Sequence, residues 1–286
     1  MSDTNVPVIR TPDSNFMGLV DFPFAPHYLD INDLRMHYVD EGPRDAPVAL
    51  LVHGMPTWSY LYRYMIPPLL AAGYRCVAPD HIGFGRSDKV TEPSWYNIAR
   101  HTSNLTRLVE HLDLADITLF VQDWGGPTGL AQYAAMPERF SRLVIMNTWL
   151  HHDDFEYTPG ALQWIEQNKP GGMFRDNVPS RFNWGTLMAM ATGRVTPQNS
   201  IFRVLNGEDA EMSQEAADVR AAYDAPFVGL GDEFVALAFL GSDREQSHPG
   251  RRQPQDVAGI VRAQDGVVQE VMWLGLRVGS GVDENE

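Results

Sequence analysis

Val121-Gln122-Asp123-Trp124-Gly125-Gly126 is the stretch on which the fold turns. It closes the apolar run Ile117-Thr118-Leu119-Phe120-Val121 and opens the segment 126–136. The run has the length and apolar content of a buried strand, and the segment after it has a helical pattern. Small residues after Asp123 allow a sharp strand-to-helix turn. The same alternation continues on both sides. Residues 47–53 and 74–78 read as buried strands and 142–146 as a fourth. Helical patterns cover 96–112 and 60–72, the latter bent or shortened at Pro67-Pro68. Strands alternating with helices predict an α/β fold, a mainly parallel sheet with helices on both faces. Right-handed crossovers then gather the loops that follow the strands along one edge, where sites form.

After residue 150 the rhythm changes. Residues 151–227 are rich in Met, Trp and Asn, with helical pieces at 160–168 and 213–223, and read as a helical lid over the loop edge. Residues 228–286 are rich in Gly, Val, Arg and Gln and hold no recurrent strand–helix unit, although 234–240 and 267–278 have strand-like content. The expected division is a core at 1–150, a lid at 151–227 and an atypical C-terminal segment at 228–286, where the remainder of the core belongs.

Composition narrows the function classes. The formal net charge is -15 over 286 residues, which opposes binding to nucleic acid or to anionic lipid. Lys89 and Lys169 are the two lysines, and the other 20 basic residues are arginines, a skew that fits G+C-rich coding DNA. A single cysteine, Cys76, excludes an internal disulfide and reads as a buried structural thiol. The first fifteen residues lack a signal-peptide pattern, and no run approaches the roughly 18 apolar residues of a membrane span. A soluble, cytoplasmic, monomeric protein is expected.

At a strand–helix elbow, hydrolases commonly carry a serine nucleophile. Here the position holds Asp123. A carboxylate can displace a leaving group from a saturated carbon and form an ester, which water then cleaves. The helix that follows brings its positive end toward that carboxylate. An isolated Asp before a helix is more often a plain N-cap. A second element weighs against that reading: His53-Gly54-Met55-Pro56-Thr57-Trp58 follows the first buried strand. In this architecture that loop supplies one backbone N–H of an oxyanion hole, here the Met55 amide, paired with the amide of Trp124. His53 reads as a brace for the loop.

The stretch His53-Gly-Met-Pro-Thr-Trp-Ser-Tyr-Leu-Tyr-Arg63 resembles a signature of the haloalkane dehalogenases. So does Ala78-Pro-Asp-His-Ile-Gly-Phe-Gly-Arg-Ser-Asp-Lys89, and residues 121–126 resemble the elbow of the subfamily with Gln before the Asp. The resemblance runs from about residue 10 to 147 and returns at Ala221-Ala-Tyr-Asp-Ala-Pro-Phe227. It implies the α/β-hydrolase fold and hydrolysis of a carbon–halogen bond to alcohol, halide and proton, without cofactor or metal. The implied partners are a small apolar halogenated substrate, water and the halide product. Carried over residue by residue, Asp123 is the nucleophile and the Trp124 indole N–H a halide donor. A lid tryptophan is the second donor, Trp184 being preferred over Trp164. Asn147 helps to orient the site.

The family also implies a histidine base and a supporting acid after the lid. After Phe227 the one histidine is His248, and Leu240-Gly-Ser-Asp-Arg244 makes Asp243 the nearest match to the acid. Five positions cannot contain the crossover, of about a dozen residues or more, that separates acid from base in a parallel sheet. His151 and His152, just past the fourth strand, are poor substitutes. The break at Phe227 is abrupt, as a reading-frame disruption near codon 227 or a sequencing error would make it. Three functions follow: a haloalkane dehalogenase, possessing or lacking its second step; an epoxide hydrolase, which shares the Asp-Trp-Gly elbow; or an inactive α/β-hydrolase-like binding protein.

Overall fold

A computed structural model of the chain describes residues 6–55, 57–148 and 214–227. In chain order these form β1 (Val8–Ile9), β2 (His27–Ile31), β3 (Leu34–Glu41), β4 (Val48–Val52), α1 (Ile66–Ala71), β5 (Arg75–Pro79) and β6 (Lys89–Val90). There follow α2 (Ile98–His111), β7 (Ile117–Gln122), α3 (Gly125–Ala135), β8 (Phe140–Met146) and α4 (Gln214–Asp224).

Six strands make one sheet in the order β2-β3-β5-β4-β7-β8. The pairs β5/β4, β4/β7 and β7/β8 are parallel, whereas β2/β3 and β3/β5 are antiparallel. Every residue of β4 and β5, and all but the last of β7, is buried. Near-continuous apolar runs are what a parallel sheet covered on both faces requires. The α/β fold read from the sequence is therefore the observed one.

Differences arise where local chemistry overrides the run. The hairpin β2–β3 lies upstream of the first strand read from the sequence. Its turn is Asn32-Asp33, with φ of +52° and +69°, the paired left-handed conformations of a two-residue hairpin turn. An Asn-Asp pair between strand-like stretches was the available signal. The helix expected over 60–72 divides into a 3-10 turn, Ser59–Tyr62, and the short α1. Pro67 and Pro68 sit in the first turn of α1, where a missing N–H costs nothing.

Two apolar clusters cover the sheet. On one face Leu105, Leu108 and Val109 of α2 and Leu130 and Tyr133 of α3 pack on Leu50, Val77, Leu119 and Val121. On the other, Ile66 of α1 packs with Leu51, Cys76 and Ala78. Cys76 is fully buried, and burial pushes its thiol up to about 12. Val219, Ala222 and Tyr223 of α4 join this second cluster beside Phe16, Trp58 and Tyr60. Trp58 Nε1 donates to the Ala222 carbonyl at 3.2 Å, and Thr11 Oγ1 to that of Pro226 at 2.7 Å. Helix α4, read from the sequence as part of the lid, thus packs on the N-terminal segment and the Ser59–Tyr62 turn. Among the described residues no helix is long and apolar enough to cross a membrane.

Candidate active site

Strand β7 delivers its last residue, Gln122, to the C-terminal edge of the sheet, and α3 begins three residues later at Gly125. The chain reverses within two residues. Asp123 accordingly takes φ of +51°, a left-handed conformation that Asp and Asn tolerate better than most side chains. The turn is fixed on both sides. Asp123 N donates to the Asn147 carbonyl at 3.1 Å, and the Asp123 carbonyl accepts from Gly126 N at 2.9 Å. Thr148 Oγ1 donates to the same carbonyl. Asn147, itself at φ of +38°, therefore touches the elbow through its backbone.

Two close approaches require glycine. A Cβ on Gly125 would stand 2.2 Å from the Val52 carbonyl oxygen, and one on Gly54 would stand 2.4 Å from Asp123 Cβ. The second matters most, because it lets the loop after β4 lie directly against the elbow. Met55 N then donates to Asp123 Oδ1 at 2.8 Å. The Trp124 amide also hydrogen-bonds the carboxylate. Burial pushes the Asp123 carboxyl up to about 6, against the pull of the Trp124 and Met55 amides toward the charged form. The group keeps partial solvent access, so it is desolvated without being sealed off. It is an anion held by two preorganised donors at the mouth of a strand–helix turn, which suits attack on an apolar electrophile.

The loop after β4 is held by His53, the brace read from the sequence, and by Asp80, to which the sequence reading gave no role. Asp80, fully buried, accepts from Ser59 N at 2.7 Å, from Arg86 N at 2.8 Å and from His37 Nδ1 at 2.7 Å. Burial alone would raise its pKa, but the His37 pairing and these donors outweigh burial and hold it at about 2. One carboxylate thus ties β3, the loop after β4 and the loop before β6 together. His53 is buried and braces its own loop, Nδ1 lying 2.7 Å from the Gly54 carbonyl oxygen and Nε2 3.0 Å from His81 N. In the sequence Asp80 stands out only as part of the stretch 78–89 that resembles the family signature, with no role of its own. Lys89, also fully buried, donates to the carbonyls of Gly85 at 2.8 Å and Ser87 at 3.0 Å, and burial lowers its amine to about 7.

The structure thus brings Asp123, Met55 and Trp124 together. Trp164, Trp184, His151, His152, Asp243 and His248 lie outside the described residues. Among the described residues no cluster of three or more His, Cys, Asp and Glu could hold a metal ion.

Comparison with known proteins gives a concordant family. Residues 47–191 match the family model described as alpha/beta hydrolase fold. A haloalkane dehalogenase of Mycolicibacterium paratuberculosis is 43% identical over 237 residues, covering 81% of this chain and 70% of that protein. The solved tetrameric haloalkane dehalogenase DpaA of Paraglaciecola agarilytica NO2 superposes with a TM-score of 0.59 at 36% identity, covering 82% of this chain and 77% of that one. A cis-3-alkyl-4-alkyloxetan-2-one decarboxylase of Shewanella oneidensis is 40% identical over 241 residues, covering 83% of this chain and 68% of that protein. With a mainly parallel sheet, a carboxylate at its elbow and these relatives, the chain belongs to the haloalkane dehalogenase family of the α/β-hydrolase fold.

Proposed function

We propose that the chain cleaves carbon–halogen bonds of small apolar haloalkanes through an ester on Asp123, with no cofactor. The observation that carries this reading is the Met55 amide on Asp123 Oδ1 at 2.8 Å, at an elbow with φ of +51°. In the first step a carboxylate oxygen attacks the saturated carbon, the carbon–halogen bond breaks, and the halide leaves with the electron pair. Trp124 and Trp184 are the proposed indole donors to that halide, since a departing anion needs donors where its charge develops. In the second step water adds to the ester carbonyl. Negative charge then develops on the oxygen facing the amides of Met55 and Trp124, and collapse releases the alcohol. Water addition also needs a base. Asp243 and His248 stand too close in sequence to be the separated acid and base of a parallel sheet.

The proposed division remains a core at 1–150, a lid at 151–227 and an atypical segment at 228–286, with α4 returning to the face of the core. Incubation with 1-bromobutane tests the mechanism by bromide release and intact-protein mass. Bromide with unmodified protein means both steps run. One bromide per chain with an alkyl adduct on Asp123 means that the first step runs alone. Neither product refutes the reading and leaves a binding protein. Diol formation from styrene oxide would favour the epoxide hydrolase. The Shewanella relative supports a second substrate class for the same carboxylate, an oxetan-2-one, whose loss of carbon dioxide leaves an alkene. Light scattering decides between the monomer expected from sequence and an assembly like the tetrameric relative.

A further inference from the structure

A peptide unit is rigid and planar, so its carbonyl and its N–H point in opposite directions. In the Gly54–Met55 unit the N–H is the donor to Asp123 Oδ1. The carbonyl at the other end is held unusually firmly. It accepts from Thr57 Oγ1 at 2.8 Å and Thr57 N at 3.1 Å, and His53 Nδ1 lies 2.7 Å away. A carbonyl only accepts, so Nδ1 of His53 carries the proton. The Nε2 of the same ring faces His81 N at 3.0 Å, and an amide only donates, so Nε2 is bare. Both nitrogens are committed, and the neutral tautomer is fixed. His53 is 0% exposed and Thr57 3% exposed, so bulk water cannot replace either donor. Ser59 N, bound to Asp80 at 2.7 Å, pins the loop two residues further on.

We propose that His53 and Thr57 are positioning residues for the reaction: by gripping the Gly54 carbonyl they aim and polarise the Met55 N–H at the Asp123 carboxyl. This rests on the reading of Asp123 as the nucleophile. The direction of charge flow decides which step they serve. During alkylation, negative charge leaves the carboxylate for the halide, so the Met55 hydrogen bond weakens. During hydrolysis of the ester, charge returns to the oxygen the N–H faces, so the bond strengthens. Only an interaction stronger in a transition state than in its ground state accelerates that step. The clamp therefore serves the second step and, in the resting protein, the charged form of Asp123.

Thr57→Val keeps the shape and removes the hydroxyl, Thr57→Ser restores it, and His53→Asn retains a donor near Nδ1 that His53→Leu lacks. Two quantities are read in folded protein. One is the lifetime of the alkyl ester after a pulse of 1-bromobutane, in water or, where it outlasts a day, with added hydroxylamine. The other needs no substrate: the Asp123 titration midpoint, from the pH dependence of stability with and without Asp123→Asn. Thr57→Val is expected to lengthen the ester lifetime about fivefold, or about 1 kcal/mol. Alkylation above the midpoint is not slowed, and the midpoint moves upward from about 6. Thr57→Ser restores both, and His53→Asn is milder than His53→Leu. Equal slowing of both steps, or a wild-type lifetime and midpoint in folded Thr57→Val, overturns the proposal. A wild-type chain that forms no adduct refutes the nucleophile reading instead, and the substrate-free midpoint then decides the clamp.

Discussion

Replacing Asp123 by Asn removes one charge at nearly constant shape, and Asn tolerates the observed φ of +51° as well as Asp does. The folded carboxyl titrates at about 6 against an ordinary 3.8, because burial disfavours the anion more than the Trp124 and Met55 amides favour it. A carboxyl raised on folding contributes stability that is fully present below its unfolded pKa. That contribution is lost as pH rises through its folded one. At about 1.4 kcal/mol per pH unit the whole gap is worth about 3 kcal/mol, and partial solvent access at the site makes this an upper figure. Asn leaves one amide facing a poorer acceptor, a cost of about 1–3 kcal/mol that does not vary with pH. The informative quantity is therefore the change in the stability difference, variant minus wild type. It should grow by about 2 kcal/mol between about pH 4 and pH 8, most of it below pH 6. Urea unfolding followed by tryptophan fluorescence at several pH values measures it, every other acidic residue cancelling in the difference. A difference that stays flat within about 0.5 kcal/mol, or falls with pH, would refute the claim that a desolvated carboxylate sits at the elbow.

Other outcomes are equally specific. The rate of Asp123 alkylation by a bromoalkane should rise with pH to a plateau with a midpoint near about 6, read by intact mass at fixed times. Gly54→Ala would put a Cβ 2.4 Å from Asp123 Cβ, so adduct formation should be lost while circular dichroism still reports a folded sheet. Asp80→Asn should cost about 3–5 kcal/mol in urea unfolding, because it strips the charge from a buried hub with three donors. In the wild type that stabilisation is present above the ordinary carboxyl range and fades as pH falls toward about 2. Leu50→Ala, at a fully buried position of β4, should cost about 2–5 kcal/mol by the same measurement.

How far the sequence speaks depends on how local the physics is. Strand β7, the turn at Asp123 and the start of α3 are contiguous, and the small residues that permit the turn stand beside it. Parallel order then follows from strand–helix alternation, so the meeting of the loop after β4 with the elbow after β7 is legible too. Pairing of β4 with β7 in register from Val48↔Ile117 to Val52↔Val121 carries the next residues of both strands to one edge. The Asp80 hub was not legible, because its partners His37, Ser59 and Arg86 come from three separate elements and no periodicity links them. The β2–β3 hairpin depended on a single dipeptide, Asn32-Asp33, against a general preference for reading long apolar runs first. Cys76 was simple, since a lone cysteine in an apolar run has one common fate.

The two half-reactions draw on different stretches of the chain, and this bears on what a disrupted tail would do. Formation of the ester needs a carboxylate and its turn, and those groups come from β4 to α3 together with Asn147 and Thr148 just after β8. The loop bearing Met55 is fixed by His53, Thr57 and Asp80, all within residues 53–80. None of these contacts uses a residue beyond 227. Ester hydrolysis needs a base in addition, and in the family resemblance that base belongs to the part of the sequence that departs. Loss of a base leaves the first barrier unchanged and raises only the second, so the ester would accumulate with one halide released per chain. A frame restored after codon 227, with a histidine in a Gly-His-Phe-like segment, should convert that single burst into steady turnover without altering the burst rate. Were the restored chain to alkylate Asp123 much faster than the present one, the C-terminal segment would be contributing to the first step, and the separation argued from the elbow contacts would fail.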